Sequence, residues 1–272
     1  MRLISLLFLA AAMTTAPLLL QGQTLQDGAD AYIAGDYVTA AKIFQPLAYD
    51  GNVYAMAILG AMYYNGEGVP QDYAKAAKWF SPAAEQGIDF AQVNLGFVYL
   101  NGEGVPQDYA KAAEWFLAAA EQGNLKAQFN LALIYFNGLG VPQDYAEAAK
   151  WFRLAAKQGN PQAQFNLALM YDDGRGVPQD DAEAVKWYRL AADQGNVNAQ
   201  YNLGVMYGNG EGVAQNFTNA YILFNLAAAQ GNENARKDRE IAAEGLTPDQ
   251  LAEAQRLSSE WEVGEPLPLQ GG

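Results

Sequence analysis

The chain has 272 residues, and 30 acidic residues against 16 basic residues give it a net charge of −14. Nucleic-acid binding needs clustered Lys and Arg to neutralise phosphates, so this charge balance argues against a nucleic-acid partner. The chain also contains neither Cys nor His. It can therefore form no disulfide, thiolate nucleophile or zinc–thiolate site, and it lacks the commonest general base and metal ligand.

Residues 1–22 have the pattern of a signal peptide. Arg2 precedes an apolar stretch from Leu3 to Ala12, and small and polar residues follow as far as Gln23. An uncleaved membrane anchor is the alternative, because the stretch as far as Leu20 is about as long as the ~18 residues typical of a membrane span. Thr and Pro residues interrupt it, which favours cleavage. We therefore expect an exported protein, periplasmic or secreted, with no stable membrane insertion after the signal peptide is removed.

One segment recurs at a fixed interval along the chain. The sequence GEGVPQDY at residues 66–73 returns unchanged at residues 102–109, and edited copies begin at residues 138, 174 and 210. This period of 36 residues is typical of helical repeat arrays. The full repeats defined on this period are 52–87, 88–123, 124–159, 160–195 and 196–231.

The sequence of each repeat predicts two antiparallel helices. In the third repeat, Ala127, Leu131 and Tyr135 lie four residues apart and form one stripe of a first helix. Gly138 is the residue type expected where that helix ends, and Asp144 is the type expected to cap a second helix. Such short helices are marginal alone, so their stability has to come from packing between repeats.

Two of the second helices carry a further capping signal. Glu147 follows the capping residue Asp144 by three positions, and Glu183 follows Asp180 in the same way. This spacing predicts a capping box, in which the Glu side chain bonds the backbone N–H of the capping residue.

The repeat becomes irregular at both ends of the array. Residues 35–51 match the second-helix part of the repeat, which predicts a degenerate opening repeat at residues 25–51. Residues 232–245 form a partial repeat whose polar sequence suits the outer face of a terminal cap. The complete predicted array is residues 23–245.

A capping helix is predicted after the array, at residues 246–261. Thr247 and Gln250 have the spacing of a capping box at its start. The remaining residues, 262–272, are rich in Pro and Gly, and we expect them to be disordered.

The motif Gly-x-Gly-Val-Pro-Gln-Asp-Tyr-x-x-Ala, followed by Trp-Phe and Ala-Ala-x-Gln-Gly-Asn, resembles the Sel-one-like repeat family, a branch of the tetratricopeptide-repeat superfamily. The resemblance spans residues 52–231 and extends in part to both ends. It implies an all-α fold, a right-handed superhelical solenoid of αα-hairpins whose first helices line a concave face. Members of the family bind other proteins or peptides, so the resemblance implies a non-enzymatic interaction scaffold or regulatory adaptor.

The first helices are where the resemblance places partner binding. Across the five full copies their charged residues are Asp89, Lys126, Asp172 and Asp173. Opposite their packing stripe they carry a second apolar set, and a helix that is apolar all round is either buried on both sides or awaiting a partner. Two interpretations stay open: an inner wall that packs on itself, or an exposed groove that binds a peptide or helix. The candidate binding residues are Phe90, Phe97, Phe129, Leu133, Phe136, Phe165, Leu169 and Tyr201.

Two amide side chains also recur at fixed positions of the first helices. One ladder consists of Gln92, Gln128, Gln164 and Gln200. The other consists of Asn94, Asn130, Asn166 and Asn202. Either ladder could bond the backbone of an extended peptide. A buried amide must find a partner within the fold, however, so we favour a structural role.

Two alternative functions are a structural or assembly component of the cell envelope and a β-lactam-type hydrolase, an activity described for some cysteine-rich relatives. A serine hydrolase needs a Ser beside a base. The Ser residues are Ser5, Ser81, Ser258 and Ser259; none begins a Ser-x-x-Lys tract, and there is no His to serve them. We therefore expect no enzyme activity, no catalytic residue, no cofactor and no metal site. We expect a monomer that binds a protein or peptide.

Overall fold

The computed structural model of the chain describes residues 24–270. These residues form fourteen α-helices and divide after Gln143 into two compact units. The predicted signal peptide, residues 1–22, lies outside the described residues. Within the described part, each helix is too short or too polar to cross a membrane.

The first unit is built from helices that each pack on the next one in sequence. Its helices are α1 (Leu25–Ile33), α2 (Tyr37–Tyr49), α3 (Val53–Asn65), α4 (Tyr73–Glu85), α5 (Asp89–Asn101), α6 (Tyr109–Glu121) and α7 (Leu125–Asn137). In the register of the repeat, α3, α5 and α7 are first helices, and α4 and α6 are second helices.

The second unit repeats this arrangement, and its last helix packs on α12. Its helices are α8 (Tyr145–Lys157), α9 (Pro161–Asp173), α10 (Asp181–Asp193), α11 (Val197–Asn209), α12 (Phe217–Ala229), α13 (Glu233–Glu244) and α14 (Pro248–Glu260). Here α9 and α11 are first helices, and α8, α10 and α12 are second helices. The predicted all-α fold of stacked αα-hairpins is confirmed.

Short polar side chains start the described helices except α5, which follows Ile88, and glycines end the first helix of each full repeat. Asn196 caps α11 by accepting the backbone N–H of Ala199, and Asp108 caps α6 by accepting that of Lys111. Helix α5 ends at Gly102, whose φ of 71° lies in the left-handed region that favours glycine. These local signals set the same length of 13 residues for first and second helices.

The capping boxes predicted in α8 and α10 are wrong. Glu147 instead forms an ion pair with Lys150 at 3.0 Å, and Glu183 pairs with Lys186 at 2.9 Å. Both carboxylate oxygens of Glu147 lie within 3.2 Å of the Lys150 ammonium group, so the lysine occupies the side chain that the box requires. The box predicted at Thr247, where α14 begins, is present and therefore confirmed.

Aromatic rings of the second helices fill the core between paired helices. Phe116 of α6 is fully buried and lies against Gly96 of α5, where an added Cβ would approach the ring to 2.7 Å. In the second unit, Phe224 of α12 lies against Gly204 of α11 at the same distance. The missing side chain on the first helix therefore makes room for the ring on the second.

A loop glycine sets the distance between successive repeats. Gly104, between α5 and α6, has a φ of 73° and lies against the start of α4. A Cβ at this position would stand 2.3 Å from the backbone nitrogen of Ala74, so only glycine fits. Gly212 makes the equivalent approach to the backbone of Asp181 in the second unit. Backbone contact between a loop and the preceding second helix thus fixes the spacing of the repeats.

The C-terminal segment, residues 262–270, contradicts the predicted disorder of residues 262–272. The backbone N–H of Leu267 donates to the Asp193 carboxylate at 2.8 Å, and the Leu267 side chain is buried. Asn219 of α12 donates to the carbonyl of Gln270 at 3.0 Å and accepts its N–H at 2.8 Å. Burial raises the pKa of Asp193, and the bond from Leu267 opposes that rise. One apolar side chain and a few backbone groups order a segment whose Pro and Gly content suggested otherwise.

Alanine substitutions at Gly104 and Gly123 separate two costs of replacing a loop glycine. Both residues have a positive φ, but a Cβ at Gly123 would meet nothing within 4 Å. We expect Gly123→Ala to lower the free energy of unfolding by about 1–2 kcal/mol, the cost of a left-handed residue. Gly104→Ala should cost at least about 2 kcal/mol more, because its Cβ overlaps the backbone of α4. Urea unfolding followed by circular dichroism measures both, and equal midpoints would show that this contact does not fix the repeat spacing.

Candidate protein-binding surface

The residues predicted to bind a partner are all half-buried. In the first unit they are Phe90, Phe97, Phe129, Leu133 and Phe136. In the second unit they are Phe165, Leu169 and Tyr201. Neither interpretation of the apolar first helices holds in full, because these side chains belong neither to the buried core nor to the fully exposed surface.

The half-burial has a direct cause in the core rings of the second helices. The ring of Phe97 meets that of Phe116 edge-on, with centroids 5.1 Å apart. The ring of Phe165 lies 5.9 Å from that of Tyr188. Each first-helix ring therefore covers a core ring with one part of its surface and leaves the rest accessible. We call these half-buried first-helix side chains, in each unit, the apolar face.

The acidic side chains of the first helices are engaged in contacts within the fold. Asp173 pairs with Arg175 at 3.1 Å. Asp172 accepts the hydroxyl of Tyr188 at 3.1 Å, and burial raises the pKa of its carboxyl group. Asp89 accepts an amide hydrogen from the side chain that caps the next first helix. The first helices therefore carry few charges, and their carboxylates are held by neighbouring side chains, although the whole chain is strongly acidic.

Two tyrosines of the first helices bond carboxylates further along the chain. The Tyr64 hydroxyl donates to Glu103 at 2.6 Å, and the Tyr201 hydroxyl donates to Asp238 at 3.0 Å. Burial and the adjacent carboxylate together raise the pKa of each tyrosine, so both stay protonated donors at neutral pH. Sequence reasoning missed Glu103 and Asp238. The sequence pattern that could have predicted the bond to Glu103 is the recurrence of Glu at this position of the loop motif.

The Gln ladder is structural, as we favoured from the sequence. The Gln164 side chain is buried, and its amide donates to the carbonyl of Ala156 in the preceding second helix at 3.1 Å. Its carbonyl oxygen accepts the amide of Gln194 from the following second helix at 2.8 Å. Gln92 makes the same two bonds, to Ala84 and from Gln122. One side chain thus joins three successive helices.

The Asn ladder makes a different and weaker set of bonds. The Asn94 amide donates to the carbonyl of Phe90, four residues earlier in its own helix, at 2.7 Å. Asn130 and Asn166 do the same. Asn202 instead donates to the hydroxyl of Tyr188 at 3.0 Å. This ladder contributes little between repeats, because three of its four amides bond only their own helix.

A cavity that the sequence analysis did not predict lies between α11, α12 and α13, with a volume of about 260 Å³. Its walls are mainly apolar, and Asp238 is the charged residue among them. Phe217, 38% exposed, and Ile241, 64% exposed, lie at its rim. The signal in the sequence is Gly208, a glycine at a position with a larger side chain in the earlier repeats. The lining residues are Val205, Gly208, Asn209, Phe217, Ala220, Phe224, Asp238, Ile241 and Ala242.

Residues 24–270 contain no cluster of acidic side chains able to hold a metal ion. The hydroxyls of Ser81, Ser258 and Ser259 each donate to a backbone carbonyl of their own helix. Ser5 lies outside the described residues.

Comparison with protein families shows what the chain resembles. The family described as Sel1 repeat matches residues 53–88, 89–124, 125–160, 161–196 and 197–232, which begin one residue later than the repeats defined above. A comparison with curated proteins gives no match.

Two solved structures resemble the chain over most of its length. A protective antigen of uropathogenic Escherichia coli with an SLR fold is 38% identical, with a TM-score of 0.77, and the match covers 94% of this chain and 56% of that one. A Sel1 repeat protein from Oxalobacter formigenes is 30% identical, with a TM-score of 0.75, and the match covers 88% of this chain and 100% of that one. This chain therefore spans little more than half the length of the Escherichia coli protein.

Substitutions in the two ladders should differ in the size of their effect on stability. Gln164→Met keeps the side-chain length but removes the bonds to Ala156 and from Gln194, so we expect the free energy of unfolding to fall by about 1–3 kcal/mol. Asn166→Ala removes only a bond within one helix and adds a better helix former, so the change should stay within about 0.5 kcal/mol. Urea unfolding of both variants measures this difference. Similar losses in the two would contradict the separate roles of the ladders.

Proposed function

The chain belongs to the Sel1 repeat family, and from that premise we propose that it is a non-enzymatic scaffold that binds a protein or peptide on its apolar face. Sel1 repeats commonly mediate protein interactions, and their fold is in general a non-catalytic one. The observation that carries the proposal is the half-burial of large apolar side chains at repeated first-helix positions.

Half-buried rings suit recognition because they are already held in place. Phe97 and Phe165 are fixed by contacts with core rings, so a partner that covers them loses little side-chain entropy on binding. Covering the accessible part of several such side chains removes apolar area from water at about 25 cal/mol per Å². The near-neutral first helices also spare the partner the cost of desolvating charged groups.

The Asn ladder supplies a polar element beside these rings. In Asn94, Asn130 and Asn166 the side-chain nitrogen bonds the helix itself, and the bonds found among the described residues do not use the Oδ1 atom. An amide oxygen can accept a backbone N–H from an extended peptide. In this proposal, the rings contribute most of the affinity and the amides orient the partner chain.

Photocrosslinking in the cells that make the protein tests where the partner lies. Benzoylphenylalanine would replace Phe97 or Phe165 on the apolar face, and Val38 or Leu190, exposed on second helices, as matched controls. We expect one discrete protein to crosslink at the first two positions and not at the control positions. Crosslinks of equal yield at all four positions, or at the controls alone, would contradict binding on the apolar face.

Aspartate substitutions on the apolar face test how much it contributes to the affinity for the partner that crosslinking identifies. Phe97→Asp plus Phe165→Asp should weaken its binding at least about tenfold, because each change puts a charge on an apolar contact. Val38→Asp plus Leu190→Asp adds the same charge on the second helices and should leave the dissociation constant within about twofold. Circular dichroism establishes first that both double variants are folded. Equal affinities for the two would argue against the proposal.

We further propose that the protein is exported and that residues 1–22 are removed as a signal peptide, by cleavage after residue 22 or at a nearby bond. The charge and apolar pattern of these residues supports this. Cell fractionation and the intact mass of the purified protein give the location and the new N-terminus, which we expect between residues 16 and 23. Leu7→Arg plus Leu9→Arg should hold the uncleaved chain in the cytoplasm. Full-length protein in the cytoplasm of the unaltered strain would contradict export.

A further inference from the structure

The cavity in the second unit is a place where the repeat lacks one of its own side chains. Gly208 stands where the first three full repeats have the large side chains Tyr64, Leu100 and Phe136 and the fourth has Asp172. A Cβ added to Gly208 would meet only the Cβ of Ala220, at 3.9 Å, within 4 Å. The glycine is therefore not required by a close contact, unlike Gly96 or Gly204, and the space beside it is open.

The first unit shows what fills this position elsewhere. The ring of Tyr64 packs edge-on against that of Tyr73, with centroids 5.1 Å apart. Phe217 is the equivalent of Tyr73 in the last full repeat. Because Gly208 offers it no ring, Phe217 lines the cavity and is 38% exposed.

Helix α13 enlarges the cavity from the opposite side. Ala242 stands where earlier repeats have Ile134, Met170 and Met206, all of which are buried. Two reductions in side-chain size thus meet at one site and leave about 260 Å³ between α11, α12 and α13. An apolar cavity of about 150 Å³ is enough to bind benzene, so this one accommodates a Phe or Leu side chain.

The charge at the cavity also differs from that of the other repeats. Asp238 lines the cavity at the position of Ile58 in the first full repeat and of Asn94, Asn130, Asn166 and Asn202 in the next four. Its carboxylate accepts the Tyr201 hydroxyl at 3.0 Å. Asn209, another lining residue, donates to the exposed carboxylate of Glu211 at 3.2 Å. Arg239, on the same helix as Asp238, bonds Asn225 and does not line the cavity.

We propose that this cavity binds one large apolar side chain, aromatic or Leu, from a partner peptide that carries Lys or Arg beside it. The side chain occupies the position that Tyr64 takes in the first full repeat and packs against Phe217. The flanking cation lies near Asp238 and Glu211, whose charge attracts it. The proposal rests on the proposed scaffold function and assigns the partner chemistry for one site on it.

Blocked tripeptides test this chemistry on the full chain. The probes are acetyl-Lys-Phe-Lys-amide, acetyl-Glu-Phe-Glu-amide and acetyl-Lys-Ser-Lys-amide, titrated while the amide resonances of the protein are followed by NMR. We expect saturable shifts for Lys-Phe-Lys, largest around Gly208, Phe217 and Ile241. The other two should bind at least about tenfold more weakly, because one repels the acidic rim and the other has no ring. Equal binding of all three, or no saturable binding of Lys-Phe-Lys, would overturn the proposal.

Filling the cavity from within gives the decisive variant. Gly208→Leu restores the residue found at Leu100, and it should raise the unfolding midpoint because it removes a helical glycine and fills a void. We expect it to weaken Lys-Phe-Lys binding at least about tenfold. Ala252→Leu adds the same side chain on the exposed face of α14 and should leave binding unchanged. Undiminished binding by Gly208→Leu would show that the peptide lies elsewhere.

A charge variant tests the cavity site independently of Gly208→Leu, in case that variant does not fold. Asp238→Asn restores the amide of the other repeats, and it should weaken Lys-Phe-Lys while leaving acetyl-Ala-Phe-Ala-amide within about twofold. Equal effects on both peptides would contradict the assigned role of the carboxylate. Analytical ultracentrifugation tests whether a second copy of the chain occupies the cavity. Self-association of the unaltered protein that is lost in Gly208→Leu would overturn the peptide assignment.

The outcomes also separate this inference from the scaffold proposal. Crosslinking at Phe97 and Phe165 without tripeptide binding at the cavity would leave the scaffold proposal standing and remove the cavity site. Tripeptide binding that depends on Gly208, without any crosslinked partner on the apolar face, would do the reverse.

Discussion

Each repeat is held by its neighbour, because a pair of 13-residue helices cannot offset the entropy lost in ordering it. Two contacts carry that dependence. A loop glycine such as Gly104 brings its backbone against the preceding second helix, and a buried amide such as Gln92 bonds the second helices on either side. A side chain at the glycine would force the repeats apart, and an apolar residue at the glutamine would remove the bonds that join three successive helices. The uniform helix length and the alanine-rich core are conditions for these contacts to recur.

Much of this was predictable because the signals are local. Gly102 and Asp108 mark a helix end and a helix start by their own conformational and capping preferences. The structural role of Gln164 also followed, since a buried amide needs partners. The capping boxes predicted at Glu147 and Glu183 are absent because a lysine three residues further on pairs with each carboxylate. The capping-box pattern does not include that lysine.

The rest depended on contacts that a linear pattern does not contain. The burial of Phe97 depends on the ring of Phe116, which lies on another helix, and the Phe97 side chain is half-buried as a result. The cavity beside Gly208 arises from small residues on two helices that meet only in the folded chain. Because rings such as Phe97 serve the core and the apolar face together, a partner that covers them also stabilises the fold, and binding should be visible as a higher unfolding temperature.

The docked C-terminal segment changes how the second unit assembles. Bonds between neighbouring repeats join residues about one period apart, as between Asp89 and Asn124, so most of the fold has low contact order. The bond from Leu267 to Asp193 spans 74 residues, and those between Asn219 and Gln270 span 51. Loop-closure entropy makes such contacts late events, which form once the helices they bridge are in place. Docking of residues 262–270 should therefore slow the local unfolding of α10 and α12 while adding little to the time the helices need to form.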